Sequence, residues 1–169
     1  MKRELQEAET LTDTTTTAIH KLGITFRDGD KSYRYVQLDA SAAAAATAGR
    51  VLYFTTASYV AGKKIVTDDI STTKQSFVAG IAIGAIALGA HGWIQTWGYN
   101  AEVDMFNNAD SGASVAVGDA IIGHATTDGN GKLVAAGTAP THKVVGWATA
   151  AMGGLSASTV AVFLEIEEA

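Results

Sequence analysis

Several stretches of this chain alternate between apolar and polar positions with a period of two, the signature of strands with one buried face. The run Thr159-Val-Ala-Val-Phe-Leu-Glu-Ile-Glu167 sets Val160, Val162, Leu164 and Ile166 on one side against Glu165 and Glu167 on the other. It predicts a strand with one wet face. Trp93 to Tyr99 alternates too, with Trp93, Gln95, Trp97 and Tyr99 on one face and Ile94 and Thr96 on the other. Ahead of it, Val78 to Leu88 reads as one or two short strands and Gly89-Ala90-His91-Gly92 as the turn between them.

Ile24–Arg27 and Lys31–Leu38 flank Asp28-Gly29-Asp30, and an Asp-Gly pair between β-formers predicts a hairpin, because both residues tolerate positive φ. A second turn of this kind is Thr127-Asp-Gly-Asn-Gly-Lys132. Arg50–Thr56 and Val115–Ile122 bring the candidate strands to at least seven. Two short helical pieces are expected. One is the charged stretch Arg3–Ala8, and the other is the alanine run Ala42–Ala48, with Ser41 as N-cap and Gly49 just past its end. The expected fold is mainly β, a sandwich or small barrel of seven or more short strands with an N-terminal extended arm.

Phe77-Val-Ala-Gly-Ile-Ala82 recurs 66 residues later as Lys143-Val-Val-Gly-Trp-Ala148, with Val, Gly and Ala identical at three positions and a Thr/Asp-rich turn upstream of each copy. If the echo is a true repeat, the body is two related hairpin units.

Charge divides the chain. Thirteen of the 29 charged residues lie in the first 39 positions, and none lies between Gln75 and Ala101. Two parts are therefore expected. Residues 1–48 would hold the arm, the Ile24–Leu38 hairpin and the Ala-rich segment, and residues 49–169 the β body. Phe77–Ile94 is apolar over a length that suggests a membrane helix, but Gly80, Gly84, Gly89 and Gly92 dilute it, no basic residue flanks it, and His91 interrupts it. Strands are the better reading, and no membrane contact is expected.

The 169 residues carry a net charge of −5, no Cys, one Pro and about 30 alanines, so the core must be built largely from small side chains. Thiolate nucleophiles, disulfides and Cys-based metal sites are excluded. A pI near 5.2 argues against nucleic acid, the densest cationic pair beyond the N-terminus being Lys63-Lys64. Met1–Thr10 has no apolar run behind its charges, so no secretory signal is expected.

Catalytic chemistry finds little to stand on. His20, His91, His124 and His142 have no ligand spacing, and there is no Gly-x-Ser-x-Gly elbow around Ser111 or Ser156. Gly62-Lys63-Lys64 departs from a phosphate loop at Ala57 and Lys64. A calcium loop starting at Asp128 would need Glu where Ala139 stands. Asp68-Asp69 reads as a solvated loop. The tryptophans Trp93, Trp97 and Trp147 read as core or interface residues before a ligand platform. No enzyme activity, cofactor or metal is expected.

Taken in order, the strand Val78–Ala82, Gly92-Trp-Ile-Gln-Thr-Trp-Gly98, Val117-Gly-Asp-Ala-Ile121, the Thr-Thr-Asp-Gly turn, Val144-Val-Gly-Trp-Ala148 and the final Val-Ala-Val-Phe-Leu strand resemble the head decoration (cement) proteins of tailed bacteriophages. The resemblance runs from about Gly49 to Glu167. It implies a small β-rich virion protein on the capsid surface that bridges major capsid subunits, often as a trimer, and it brings no catalytic residues. The segment Met1–His20 holds only Leu5, Leu11 and Ile19 as large apolar residues, so an arm that orders on a capsid or sister subunit is expected. The interface candidates are Leu5, Leu11, Ile19, Trp93, Trp97 and Tyr99, and the expected partners are the major capsid protein and further copies of the chain. Competing readings are a tail or fibre component, an adhesin module, or a small β-barrel enzyme or binding module using His91, His124 or His142 with Asp119 or Asp128.

Overall fold

The computed structural model describes residues 10–71, 77–106, 114–124, 127–134, 140, 143–153 and 158–166. Among them the chain is mainly β, as expected. Its strands are β1 (Thr25–Asp28), β2 (Lys31–Leu38), β3 (Val51–Phe54), β4 (Ile65–Thr67), β5 (Val78–Ala82), β6 (His91–Met105), β7 (Ala120–Gly123), β8 (Gly131–Leu133), β9 (Val144–Ala148) and β10 (Ser158–Glu165). One short helix, α1 (Thr56–Val60), is capped by the Thr55 hydroxyl, which accepts from the Ser58 amide.

The sheet runs β1-β2-β4-β3-β5-β6-β10-β9-β7-β8, and the extra pairings β2–β6 and β6–β8 close it on itself twice. The result is two five-stranded barrels, β2-β4-β3-β5-β6 and β6-β10-β9-β7-β8, sharing the 15-residue strand β6. Closure removes most of the exposed strand edges that a sheet of short strands would otherwise present. The barrel interiors are filled mainly by Val, Leu, Ile, Phe and Met side chains, not by the small residues expected from the composition.

The barrels are copies of one another. In the first, Leu52 pairs with Gly80 and Tyr53 with Val78, with a bulge between; in the second, Ile121 pairs with Gly146 and Ile122 with Val144, with a bulge in the same place. The parallel pair Leu38–Val66 corresponds to Met105–Gly131. The isolated bridge Ala46–Ile86 corresponds to Val115–Met152, 69 and 66 residues further on. Gly49 and Gly118 share a φ near +90°, and their amides donate to Ala82 and Ala148 respectively. The 66-residue echo in the sequence thus marks one strand of a repeated five-stranded unit, larger than the hairpin expected.

The identity of glycine within that echo has a physical cause. A Cβ on Gly80 would lie 2.7 Å from the Gln95 carbonyl oxygen, and one on Gly146 would lie 2.2 Å from that of Phe163. Both barrels press a neighbouring strand against the bulge, and only glycine leaves room.

Each barrel has its own core. Val36, Leu38, Leu52, Phe54, Val66, Ala79 and Ile94 fill the first, closed at one end by Ala46 and Ile86. Val103, Met105, Ile121, Leu133, Val145, Val162 and Leu164 fill the second. Arg34 lies over the Phe54 ring at 5.6 Å, at the other end of the first barrel.

Three expectations are corrected. The chain does not divide at residue 48: β2 pairs with β4 and β6, so the Ile24–Leu38 hairpin supplies a wall of the first barrel. Arg27, Asp28 and Asp30 of the hairpin lie on the exposed β1 and its turn, while β2 is mostly buried and carries the half-buried Lys31 and the buried Arg34. The Ala42–Ala48 run is not a helix. Ala46 instead bridges Ile86 through two backbone hydrogen bonds, a tertiary pairing that a seven-residue helix cannot outweigh. The N-terminal segment is not a free arm from Thr10 onward. Thr15 pairs with His91, and Leu11, Leu22, Ile24 and Phe26 pack over Tyr33, Tyr35 and Trp93 on the outer face of β2 and β6. Leu5 and the Arg3–Ala8 stretch lie outside the described residues. The apolar run Phe77–Ile94 contains β5 and the start of β6, and no helix among the described residues is long and apolar enough to cross a membrane.

Candidate interaction surface

Strand β6 leaves the first barrel and enters the second between Gln95 and Asn100. Gln95 holds this crossing. Its buried side-chain amide donates to the carbonyls of Trp97 and Tyr99, and its side-chain oxygen accepts from the Asn100 side chain. Gly98, at φ +89°, takes the bend.

The crossing displays aromatic side chains. Trp147, Phe163 and Tyr99 stand opposite one another across β9, β10 and β6, and Trp97 stands opposite Glu165. Directly opposed residues of antiparallel strands share a face. Trp97 meets Phe163 edge-on at 5.7 Å, and the Trp147 indole N–H donates to the Glu165 carboxylate at 2.9 Å. Trp97, Tyr99 and Trp147 are 39%, 44% and 40% exposed. Rigid aromatic side chains in contact with each other but open to water are what protein interfaces favour.

The six interface candidates therefore separate. Trp97 and Tyr99 lie on this surface. Trp93 shares their strand face but is 3% exposed, since the segment from Leu11 to Phe26 covers it and the rings of His20, Phe26 and Tyr35 pack around it. Leu11 packs against the same cluster, Ile19 is 52% exposed, and Leu5 is outside the described residues. Sequence reasoning missed Phe163 and left Trp147 unassigned to the patch. The signal for Phe163 was its place on the wet face of an otherwise alternating strand.

The histidines do not gather into a site among the described residues. The buried His91 ring hydrogen-bonds the Thr15 carbonyl, and the buried His124 Nδ1 accepts the Thr127 amide beside the Phe106 ring. The Asp119 carboxylate accepts the Ala116 amide and that of Asp128 the Ile70 amide, so each acts as a turn or junction acceptor. No group of three or more metal-binding side chains occurs among the described residues. His142, Ser111 and Ala139 fall outside them.

Charge is buried at the seam between the barrels. Asp68 is not in a solvated loop: its side chain is fully buried and paired with Arg50, while the Asp69 carboxylate accepts the Ser71 amide. Burial raises the Asp68 carboxyl above the usual carboxylate range against the pull of Arg50, and burial likewise raises Asp104. The Tyr53 phenol, buried over Gly123, is raised by the same cause. These groups lie inside the seam, away from the exposed aromatics.

Compared with protein-family models, curated proteins and solved structures, the chain matches none.

Proposed function

We propose that this protein is a structural component of a phage virion that binds the outer surface of the capsid and reinforces it by bridging major capsid subunits. The observation that carries the proposal is the exposed pair Trp97 and Tyr99 around the half-buried Phe163 on the double barrel. Both barrel interiors are packed with apolar side chains, which leaves the outer surface for binding. The resemblance of about Gly49 to Glu167 to head decoration proteins supplies the partner. A shell presents many equivalent sites, so a few aromatic anchors per copy are enough to cross-link it.

The test is co-sedimentation of the purified protein with shells of the major capsid protein encoded in the same genome. Saturable binding is expected, weakened at least tenfold by the double change Trp97→Ala, Tyr99→Ala in a protein of unchanged thermal stability. Absence of binding to both immature and expanded shells would sink the proposal.

A further inference from the structure

The outer face of β3 and β5 in the first barrel carries Val51, Tyr53, Val78 and Ile81, all buried at 1% exposure or less. What covers it is the second barrel. Residues 127–130, which lead into β8, lie across this face: the Val51 amide donates to the Gly129 carbonyl, the Gly129 amide to the Asp68 carbonyl, and the Ile70 amide to the Asp128 carboxylate. Tyr53 sits on Gly123 at the end of β7.

Because the chain is a repeat, each side of this internal contact has a counterpart. The face equivalent to β3 and β5 is that of β7 and β9, carrying Ala120, Ile122, Val144 and Trp147; there Ala120 and Ile122 are buried, Val144 is half-buried and Trp147 is exposed. The loop equivalent to the one between β7 and β8 joins β3 to β4. The two are matched by the closing hydrogen bonds His124 amide to Asn130 carbonyl and Thr55 amide to Ile65 carbonyl. This first-barrel loop holds α1 and exposes Val60 (84%) and Tyr59, and Ile65 at the start of β4 is exposed next to it. The exposed parts of the two counterparts are thus Trp147, with the half-buried Val144, on the face and Val60 with Tyr59 on the loop.

We infer that copies of this chain associate head to tail, the α1 loop of one copy (Tyr59, Val60, with Ile65 next to it) seating on the β7–β9 face (Val144, Trp147) of the next. Lys63 and Lys64 lie in the α1 loop, and the face carries Glu165 beside Trp147 and Lys132 opposite Ile122. A contact between two different patches is heterologous, so it extends to a closed ring or an open filament according to the rotation per copy. The inference rests on the internal repeat and not on the capsid proposal, and its readout needs no capsid.

The experiment uses Val60→Asp, which blocks only the loop, and Trp147→Asp, which blocks only the sheet face. Sedimentation equilibrium of the full chain should show self-association, and each variant alone should be monomeric, with an association constant reduced at least a hundredfold. An equimolar mixture should form a heterodimer and nothing larger, because one intact loop and one intact face remain. Circular dichroism and melting temperature, unchanged for substitutions at these exposed positions, verify that both variants fold. A wild-type chain that stays monomeric at 100 μM would overturn the inference. So would a Val60→Asp variant that still dimerises, the mark of a symmetric contact through Trp147, or a mixture that remains monomeric.

Discussion

The two barrels have the same strand order, bulges and closing bridges, yet they meet water differently. On the first, the outer face of β2 and β6 is roofed by the segment from Leu11 to Phe26, and the outer face of β3 and β5 by the second barrel. On the second, the corresponding faces keep Trp147, Tyr99 and Trp97 exposed. A duplicated unit therefore need not carry a duplicated surface. The interior is constrained twice by the same packing, while the outside is free to become core in one copy and contact surface in the other.

The sharpest way to break this comparison is to truncate two tryptophans four residues apart on one strand. Trp93→Ala removes a roofed side chain and should cost about 3–5 kcal/mol, whereas Trp97→Ala should stay under about 1 kcal/mol, both read by denaturant unfolding. Equal costs would mean that the roof over Trp93 does not hold in solution.

Leu52→Ala and Ile121→Ala delete equivalent interior side chains, and each should cost about 2–4 kcal/mol. Because β6 belongs to both barrels, either change should lower one common transition with an unaltered denaturant slope. Two separated transitions would show that the barrels fold independently.

Gly146→Ala and Gly80→Ala probe the repeated close approach. Both should destabilise, by about 1–3 kcal/mol, with Gly146 the worse because its added Cβ would meet a carbonyl at 2.2 Å against 2.7 Å. A neutral Gly146→Ala would remove the explanation for the shared glycine.

The smallest effect concerns the seam. Asp68 has its carboxyl raised in the folded state, so the stability it contributes is fully present below its unfolded value of about 3.9 and is lost as pH rises through the folded value. The stability of the native chain relative to Asp68→Asn should therefore decline as pH rises above about 4, as measured by urea unfolding at a series of pH values. A difference that grows with pH would show that Arg50 outweighs burial.

Local sequence carried much of the fold because strand alternation and turn chemistry are short-range. The buried set Val160, Val162, Leu164 and Ile166 was readable from period two alone, and the β1–β2 turn from Asp28-Gly29. The repeat was visible only at Val78/Val144, Gly80/Gly146 and Ala82/Ala148. Barrel interiors accept many apolar substitutions of fitting volume, while glycine under a close carbonyl accepts none. Ala42–Ala48 misled because helix propensity is weak beside a backbone bridge made 40 residues away.

By itself the sequence determined the β class, the strand faces and the lack of a thiol chemistry, all of which follow from residue type and spacing. Tertiary structure decided that β6 is shared, that the charged first 40 residues include a barrel wall, and that Trp93 is core while Trp97, Tyr99 and Trp147 are surface. Alternation tells which side of a strand a residue occupies. What covers that side depends on segments distant in the chain, and no local pattern encodes it.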